Sequence, residues 1–202
     1  MVKSLNTLAL FVAVALAPSA YAQHWNLPAD LSPDTMEIGF KIDTTWHTVH
    51  GVVKSISGRA SLPTPKDPRT ISATLTIPVA SLDTGSESRD EEMRECMDVA
   101  TYPSITVEVP EIRPSCEERA LTAEPACPYS TKGNITIRNV TLPSAITGTI
   151  RRNTRGDIVV DGATQINWAH FGVKDPSILI ARVNEDVSIS FQITLPEKKK
   201  AI

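Results

Sequence analysis

Apolar and polar residues alternate along most of the chain beyond its amino-terminal segment. In residues 187–195, Val, Ile, Phe, Ile and Leu stand at every second position, with Ser, Ser, Gln and Thr between them. The same pattern, complete or shortened, occurs at 35–43, 71–79, 105–109, 135–137 and 158–160. A period of two with one apolar face is typical of half-buried antiparallel strands. The chain is therefore predicted to be mainly all-β, with about eight strands arranged as a sandwich or barrel.

One stretch, residues 86–103, departs from this alternation. Its apolar side chains follow the helical spacing i, i+3, i+4 and i+7, at Met93, Cys96, Met97 and Ala100. Ser88 and Glu91 have the spacing of a capping box, and Pro103 marks the exit. We predict one short amphipathic helix that covers one end of the barrel or sandwich.

The first 22 residues have the pattern of a secretory signal peptide. Lys3 supplies a positive charge, residues 8–17 are an unbroken apolar run, and Ala20–Ala22 offers the small residues that a signal peptidase needs. The apolar run is too short for a membrane-spanning helix, which needs about 20 residues. We expect cleavage after Ala22 and export to the periplasm, or secretion, with no integral membrane segment in the mature chain.

Length and charge limit the number of domains and the kinds of partner that the protein can bind. The chain has 202 residues, a formal net charge of -3, 41% hydrophobic residues and 21% charged residues. No Pro- or Gly-rich linker divides the strands, so we expect one domain over residues 23–196 and a disordered tail over 197–202. The nearly balanced charge provides no broad electrostatic field for nucleic acid or for an anionic lipid surface.

Export makes the three cysteines interpretable. Cys116 and Cys127 bracket a short segment within residues 113–128, which are predicted to be a surface insertion, and an oxidising compartment permits a disulfide between the two. Cys96 would then be a buried, inert thiol on the apolar face of the predicted helix. No C-x-x-C pair occurs, so cysteine spacing supports neither a thioredoxin-type redox pair nor a zinc site.

Candidate chemistry is sparse. The sequence contains no Walker loop, G-x-G-x-x-G, G-x-S-x-G or H-E-x-x-H motif. His47 and His50 would point to opposite faces of a strand and could not chelate one metal together, although one of them could contact a ligand head group at a barrel mouth. Asp83, Arg89 and Asp90 form a charged cluster that we interpret as structural. We predict no catalytic residue, no metal site and no enzymatic activity.

Several patches are similar, in order, to sequence motifs of one family. Residues 51–58 resemble a G-x-F-x-x-F-x-G strand, 132–141 a G-x-L-T-I-x-G-V-T strand and turn, and 171–173 a late F-G-V patch. The most informative patch combines Ser81–Thr84, Arg89–Asp90 and Tyr102–Pro103. Together they resemble the YceI-like family of exported polyisoprenoid-binding proteins, across most of residues 25–195.

The resemblance implies an eight-stranded antiparallel, lipocalin-like barrel whose lumen holds a long isoprenoid chain. It implies no cofactor beyond a bound polyisoprenoid or isoprenoid quinone. A barrel of this size is just wide enough to be filled by side chains or to hold one small ligand, and an aromatic content of only 5% favours a cavity. The residues expected to line the lumen are Phe40, Ile42, Trp46, Leu75, Ile77, Met93, Met97, Ile135, Ile137, Trp168, Phe171, Ile189 and Phe191.

Three functions follow from these patterns. The first is a carrier or sequestering protein for an isoprenoid-type lipid, with a role in isoprenoid quinone metabolism or a stress response. The second is a lipid-modifying enzyme, for which the sequence shows no catalytic constellation. The third is a barrel with a filled core that acts through a protein partner. A homodimer is compatible with each of them.

Overall fold

The computed structural model describes residues 27–61, 70–116, 126–177 and 182–196. The predicted signal peptide at residues 1–22 and the predicted tail at 197–202 lie outside the described residues. The same holds for the middle of the predicted insertion, residues 117–125.

Within the described residues the fold is a single antiparallel sheet with one α-helix. The strands are β1 (Ala29–Leu31), β2 (Met36–Thr44), β3 (Thr48–Val53), β4 (Ser57–Ser61), β5 (Ile71–Pro78), β6 (Leu82–Asp83), β7 (Ser104–Ile112), β8 (Cys127–Ile137), β9 (Val140–Arg152), β10 (Ile158–Asn167) and β11 (Val183–Leu195). The helix is α1 (Glu87–Cys96), and short 3₁₀ segments cover Val79–Ser81 and Trp168–Phe171.

The strand order shows that the sheet curls round on itself. The order is β1-β4-β5-β7-β8-β9-β10-β11-β2-β3-β6, so β3 and β4 lie near opposite margins although only residues 54–56 join them. The 3₁₀ segment Val79–Ser81 likewise joins β5 to β6 across the two margins. The backbone N–H of Lys54 donates to the carbonyl of Ser81 at 2.9 Å, which connects these two crossings. The predicted all-β, antiparallel barrel class is confirmed.

The number and extent of the strands differ from the prediction. There are eleven described strands rather than about eight, and two of them, β1 and β6, are too short to show alternation. Residues 51–58, interpreted as one strand, are divided at 54–56, where the chain crosses between the sheet margins and buries Ile56. The thirteen-residue β9 escaped prediction because Pro143 and Gly148 interrupt its apolar pattern.

The segments that connect the strands lie at two opposite ends of the barrel. The end that we call upper carries the turn at residues 45–47, the segment 84–103 with α1, the turn at 138–139 and the segment 168–177. The lower end carries residues 153–157 and the Cys116–Cys127 disulfide, which is present as predicted. Lower-end side chains are packed to near-complete burial, with relative exposures of 0–2% for Cys127, Ile150, Ile158 and Leu195. The lower end of the barrel, around these four residues, is therefore a filled core.

Helix α1 forms where the spacing predicts it, but it begins earlier. Its N-cap is Ser86, whose extended backbone (φ -140°, ψ 109°) precedes the first turn, and no side chain caps the helix. Ser88 and Glu91 therefore lie inside α1, and the predicted capping box is wrong. The helix ends at Cys96, well before Pro103, because Asp98 adopts a left-handed conformation (φ 53°) that turns the chain back toward β7.

Candidate functional site

An apolar cavity of about 310 Å³ runs inside the barrel from α1 at the upper end down to Met36, Ile112 and Ile193. Inward-facing residues of β2, β5, β7, β8 and β11 form its wall, and α1 lies over it. Glu92 of α1 both lines the cavity and is exposed to solvent, so the cavity reaches the surface along this helix. The cavity is thus closed below by the packed core and open above.

Strand register places the lining residues directly opposite one another. Phe40 of β2 pairs with Ile189 of β11, and Ile38 pairs with Phe191. Directly opposite side chains of an antiparallel pair lie on the same face of the sheet, here the inner face. The alternation that identifies these strands in the sequence therefore also builds the cavity wall.

Glycines opposite the two phenylalanines keep the cavity open. A β-carbon on Gly51 would occupy the place of the Phe40 ring, and one on Gly162 would occupy the place of the Phe191 ring. Each ring can consequently lie against the wall instead of crossing the lumen. An isolated Gly within a strand pattern signals a close approach of this kind, and Gly51 and Gly162 are two such positions in the sequence.

Most of the predicted lumen residues lie around the cavity. Those that line it are Phe40, Ile42, Leu75, Ile77, Met93, Met97, Ile135, Ile137, Trp168, Ile189 and Phe191. Trp46 does not line it, since it sits at the tip of the β2–β3 turn with 69% of its surface exposed. Phe171 is buried, at 2% exposure, but it belongs to the packed core under the 3₁₀ segment and not to the cavity wall. The expected placements of these two residues are therefore corrected.

The cavity lining also includes residues that were not predicted from the sequence. Met36, Val187 and Ile193 follow the same alternation as the residues that were chosen and could have been found from it. Ile146 was hidden within β9. Arg89 joins the lining only because α1 packs across the upper end, which no local pattern reveals.

The charged cluster at the start of α1 is an ordered network. The carboxylate of Asp90, only 5% exposed, accepts hydrogen bonds from the Thr84 hydroxyl at 2.6 Å and from the Thr84 N–H at 2.9 Å. Arg89 donates from Nε to the Thr84 hydroxyl at 2.8 Å and from Nη2 to the Thr84 carbonyl at 2.9 Å. This network holds the connection between β6 and α1, as the structural interpretation expects, and it also fixes the guanidinium beside the cavity.

Asp83 belongs to a separate contact that secures the sheet margins. Its carboxylate pairs with the ammonium group of Lys54 and accepts the Gly85 N–H at 2.7 Å. The hydrogen bond from Lys54, followed by that from Gly85, lowers the pKa of Asp83, and the hydrogen bond to Asp83 raises the pKa of Lys54. The pair ties β6 to the connection between β3 and β4.

Cys96 carries a free thiol that lines the cavity and is half-buried. Burial, followed by the negative charge of Glu92, raises the pKa of this thiol. The thiol is consequently protonated at neutral pH, a state that is poorly nucleophilic. This agrees with an inert thiol, although Cys96 is less buried than expected.

Arg138 connects three segments at the upper end. It occupies the β8–β9 turn with a left-handed backbone (φ 57°), and its guanidinium donates to the carbonyl of Gly172. The same group lies 5.1 Å from the ring centroid of Tyr102 and 3.8 Å from the carboxylate of Asp98. The upper rim next to the cavity is therefore held together by one cation.

The three histidines that the structure describes lie apart from the cavity lining. His47 is exposed in the β2–β3 turn, His50 is exposed on β3, and His170 is exposed in a 3₁₀ segment. Among the residues that the structure describes, no three His, Cys, Asp or Glu side chains are grouped as metal ligands. In the same part of the chain, no helix has the length and apolarity to span a membrane.

The described residues form an antiparallel β-barrel with an apolar cavity that reaches the surface beside α1. The chain belongs to the YceI-like domain family, whose model matches residues 30–195. None of the curated proteins matches the chain.

Solved structures share the fold. Burkholderia cenocepacia BcnA is similar with a TM-score of 0.63 and 23% identity, over 79% of this chain and 95% of that chain. A polyisoprenoid binding domain from Saccharophagus degradans, implicated in plant cell wall breakdown, gives 0.60 and 16%, over 83% and 98%. The Campylobacter jejuni YCEI protein gives 0.54 and 16%, over 75% and 86%.

Proposed function

We propose that this protein binds a long-chain polyisoprenoid or a similar lipid in the barrel cavity and carries or sequesters it without chemical change. The observation that carries the proposal is the apolar cavity of about 310 Å³, closed below and open beside α1. Membership of the YceI-like family and the fold shared with a polyisoprenoid binding domain support it.

The cavity suits an apolar chain for physical reasons. Transfer of an isoprenoid tail from water would gain about 25 cal/mol for each Å² of apolar surface buried. The volume lies at the lower end of the range for small-molecule sites, roughly 300–1,000 Å³. The cavity therefore fits the end of a long chain or a short isoprenoid, while the rest of a longer chain would leave by the upper end.

The cellular context is part of the same proposal. Signal peptidase would remove residues 1–22 and release the domain into the periplasm or the medium, where it would take part in isoprenoid quinone metabolism or a stress response. The disulfide between Cys116 and Cys127 supports an oxidising compartment. Intact-mass measurement of exported protein should show a chain that begins at Gln23, and a soluble mature form that retains residues 1–22 would contradict export by cleavage.

Mass spectrometry of an organic extract of the purified protein tests the binding function. We expect one prenyl lipid or a homologous series, in amounts comparable to the protein. A variant with Leu75 changed to Trp serves as the control, because the indole would occupy the cavity. Equal lipid content in both proteins would show that the lipid binds outside the cavity, and the absence of lipid from both would favour action through a protein partner.

A further inference from the structure

Charged and polar side chains line the cavity at its upper end. Among the described residues that line it, the charged side chains are Arg89 and Glu92, both on α1, and Thr84 lies next to them. Nearly all other lining groups are apolar. An amphiphile in this cavity would therefore place its tail toward the packed core and its head group beside α1.

The Arg89 guanidinium is fixed in position before any ligand binds. Its Nε and Nη2 atoms donate to the hydroxyl and the carbonyl of Thr84 at 2.8 and 2.9 Å. Thr84 is itself held by Asp90, whose carboxylate is buried. A guanidinium that is held by its neighbours loses little side-chain entropy when it binds a ligand.

The guanidinium of Arg89 has N–H groups that remain available to donate to a ligand. It carries five N–H groups, and the two bonds to Thr84 leave three for which the described residues provide no partner. Its planar fork matches the paired oxygens of a phosphate or carboxylate. Since the adjoining cavity is apolar, a tail that fills it would displace water from around this contact, and a charge-assisted hydrogen bond there would be stronger than in bulk solvent.

Resting on the proposed function, we propose that the ligand carries an oxyanion head group, a phosphate or a carboxylate, that Arg89 binds at the mouth while the tail fills the cavity. Glu92 lies on the same rim and opposes an anion, so it limits the affinity without removing the preference. A neutral prenyl alcohol of the same length binds more weakly.

Ligands with matched tails test this assignment in the full mature protein. Farnesol, farnesyl phosphate, dodecanoate and inorganic phosphate are titrated separately into delipidated protein by calorimetry. We expect farnesyl phosphate to bind at least about tenfold more tightly than farnesol, the effect of one or two charge-assisted hydrogen bonds. Inorganic phosphate alone should not bind measurably. Tight binding of dodecanoate that depends on Arg89 would identify a fatty acid as the source of the head group, and tight binding of farnesyl phosphate alone would identify a prenyl phosphate.

Variants on α1 separate head-group recognition from structure. Arg89→Gln should bring the ratio of the two farnesyl affinities close to one while farnesol affinity changes less than about threefold, and Arg89→Lys should keep part of the preference. Glu92→Gln should increase it. The matched control is Arg94→Gln, because Arg94 pairs with Glu87 on the same helix and does not line the cavity.

The outcomes distinguish the two proposals. If neither farnesol nor farnesyl phosphate binds the wild-type protein, the proposed lipid-binding function fails. If both bind with equal affinity, or if Arg89→Gln and Arg94→Gln leave the same preference, lipid binding stands and the role of Arg89 is wrong. If Arg89→Gln does not fold, the comparison of farnesol with farnesyl phosphate in the wild-type protein still tests whether an anionic head group is preferred.

Discussion

Gly162 and Phe191 face each other directly across β10 and β11, and the Phe191 ring occupies the space that a β-carbon on Gly162 would fill. Because Gly162 has no side chain, the ring of Phe191 on the neighbouring strand can lie in the space beside it. Because the ring rests in that space, it does not extend across the lumen, and the cavity at the same level stays open.

Gly162→Ala should therefore affect both stability and binding. The added methyl group displaces the Phe191 ring, and overpacking of this kind costs on the order of 1–3 kcal/mol. Thermal or denaturant unfolding of the delipidated protein measures the loss, and lipid titration should show weaker uptake because the ring enters the cavity.

Gly39→Ala is the matched control for that experiment. Gly39 lies within β2, and an added β-carbon would meet the Ser190 hydroxyl oxygen at an ordinary 3.6 Å. Its unfolding free energy and lipid uptake should stay close to wild type. An equal loss in both variants would show that glycine in these strands matters only for the backbone.

The Lys54–Asp83 contact predicts a pH dependence of stability. The folded-state pKa of Asp83 is lowered, so this group contributes stability above the ordinary carboxyl range, and that contribution disappears as the pH falls through the lowered pKa. Thermal unfolding between pH 7 and pH 2 should show a steeper acid loss for wild type than for Asp83→Asn. Parallel curves would mean that the contact does not persist in solution.

The disulfide closes the lower end and should add stability without shaping the cavity. Cys116 and Cys127 are 11 positions apart, and the chain-entropy model assigns a loop of this size roughly 2–3 kcal/mol. A double Ser variant should lose about that much unfolding free energy and keep its lipid affinity. Cys96→Ser is the comparison, because it removes a thiol that forms no disulfide. A loss of lipid binding in the double variant would show that the two ends are coupled.

The spacing of apolar residues predicted much of this structure, because strand alternation and helical spacing depend only on residues that are close together in the sequence. Phe40, Ile189 and Phe191 could be assigned to the inner face from period two alone, and α1 from its apolar spacing. Trp46 was misplaced because hydrophobicity suggested burial, whereas its position in a turn between β2 and β3 points it into solvent.

Features that depend on distant contacts could not be predicted in this way. The position of Arg89 at the mouth requires α1 to pack across the barrel end, and the two sheet margins meet where Lys54 contacts Ser81. Neither has a signature within a few residues of sequence. The division of the barrel into a packed lower end and an open upper end also arises only from the assembled register, since Ile150 and Ile137 look alike in the sequence.

A pair of enlarging substitutions tests whether the lipid occupies the cavity. Leu75 lines the cavity, whereas Ile150 is fully buried in the lower core and does not. Leu75→Trp should fill empty space, so the unfolding free energy of the delipidated protein should change by less than about 1 kcal/mol. Ile150→Phe should overpack and lose about 1–3 kcal/mol while lipid affinity is retained.

The decisive measurement is the affinity of delipidated Leu75→Trp for a prenyl lipid, determined by titration beside wild type and Ile150→Phe. We expect at least about a tenfold weaker affinity for Leu75→Trp alone. Unchanged lipid uptake by Leu75→Trp, together with a large loss of its stability without lipid, would rule out lipid binding in the cavity and indicate a filled barrel.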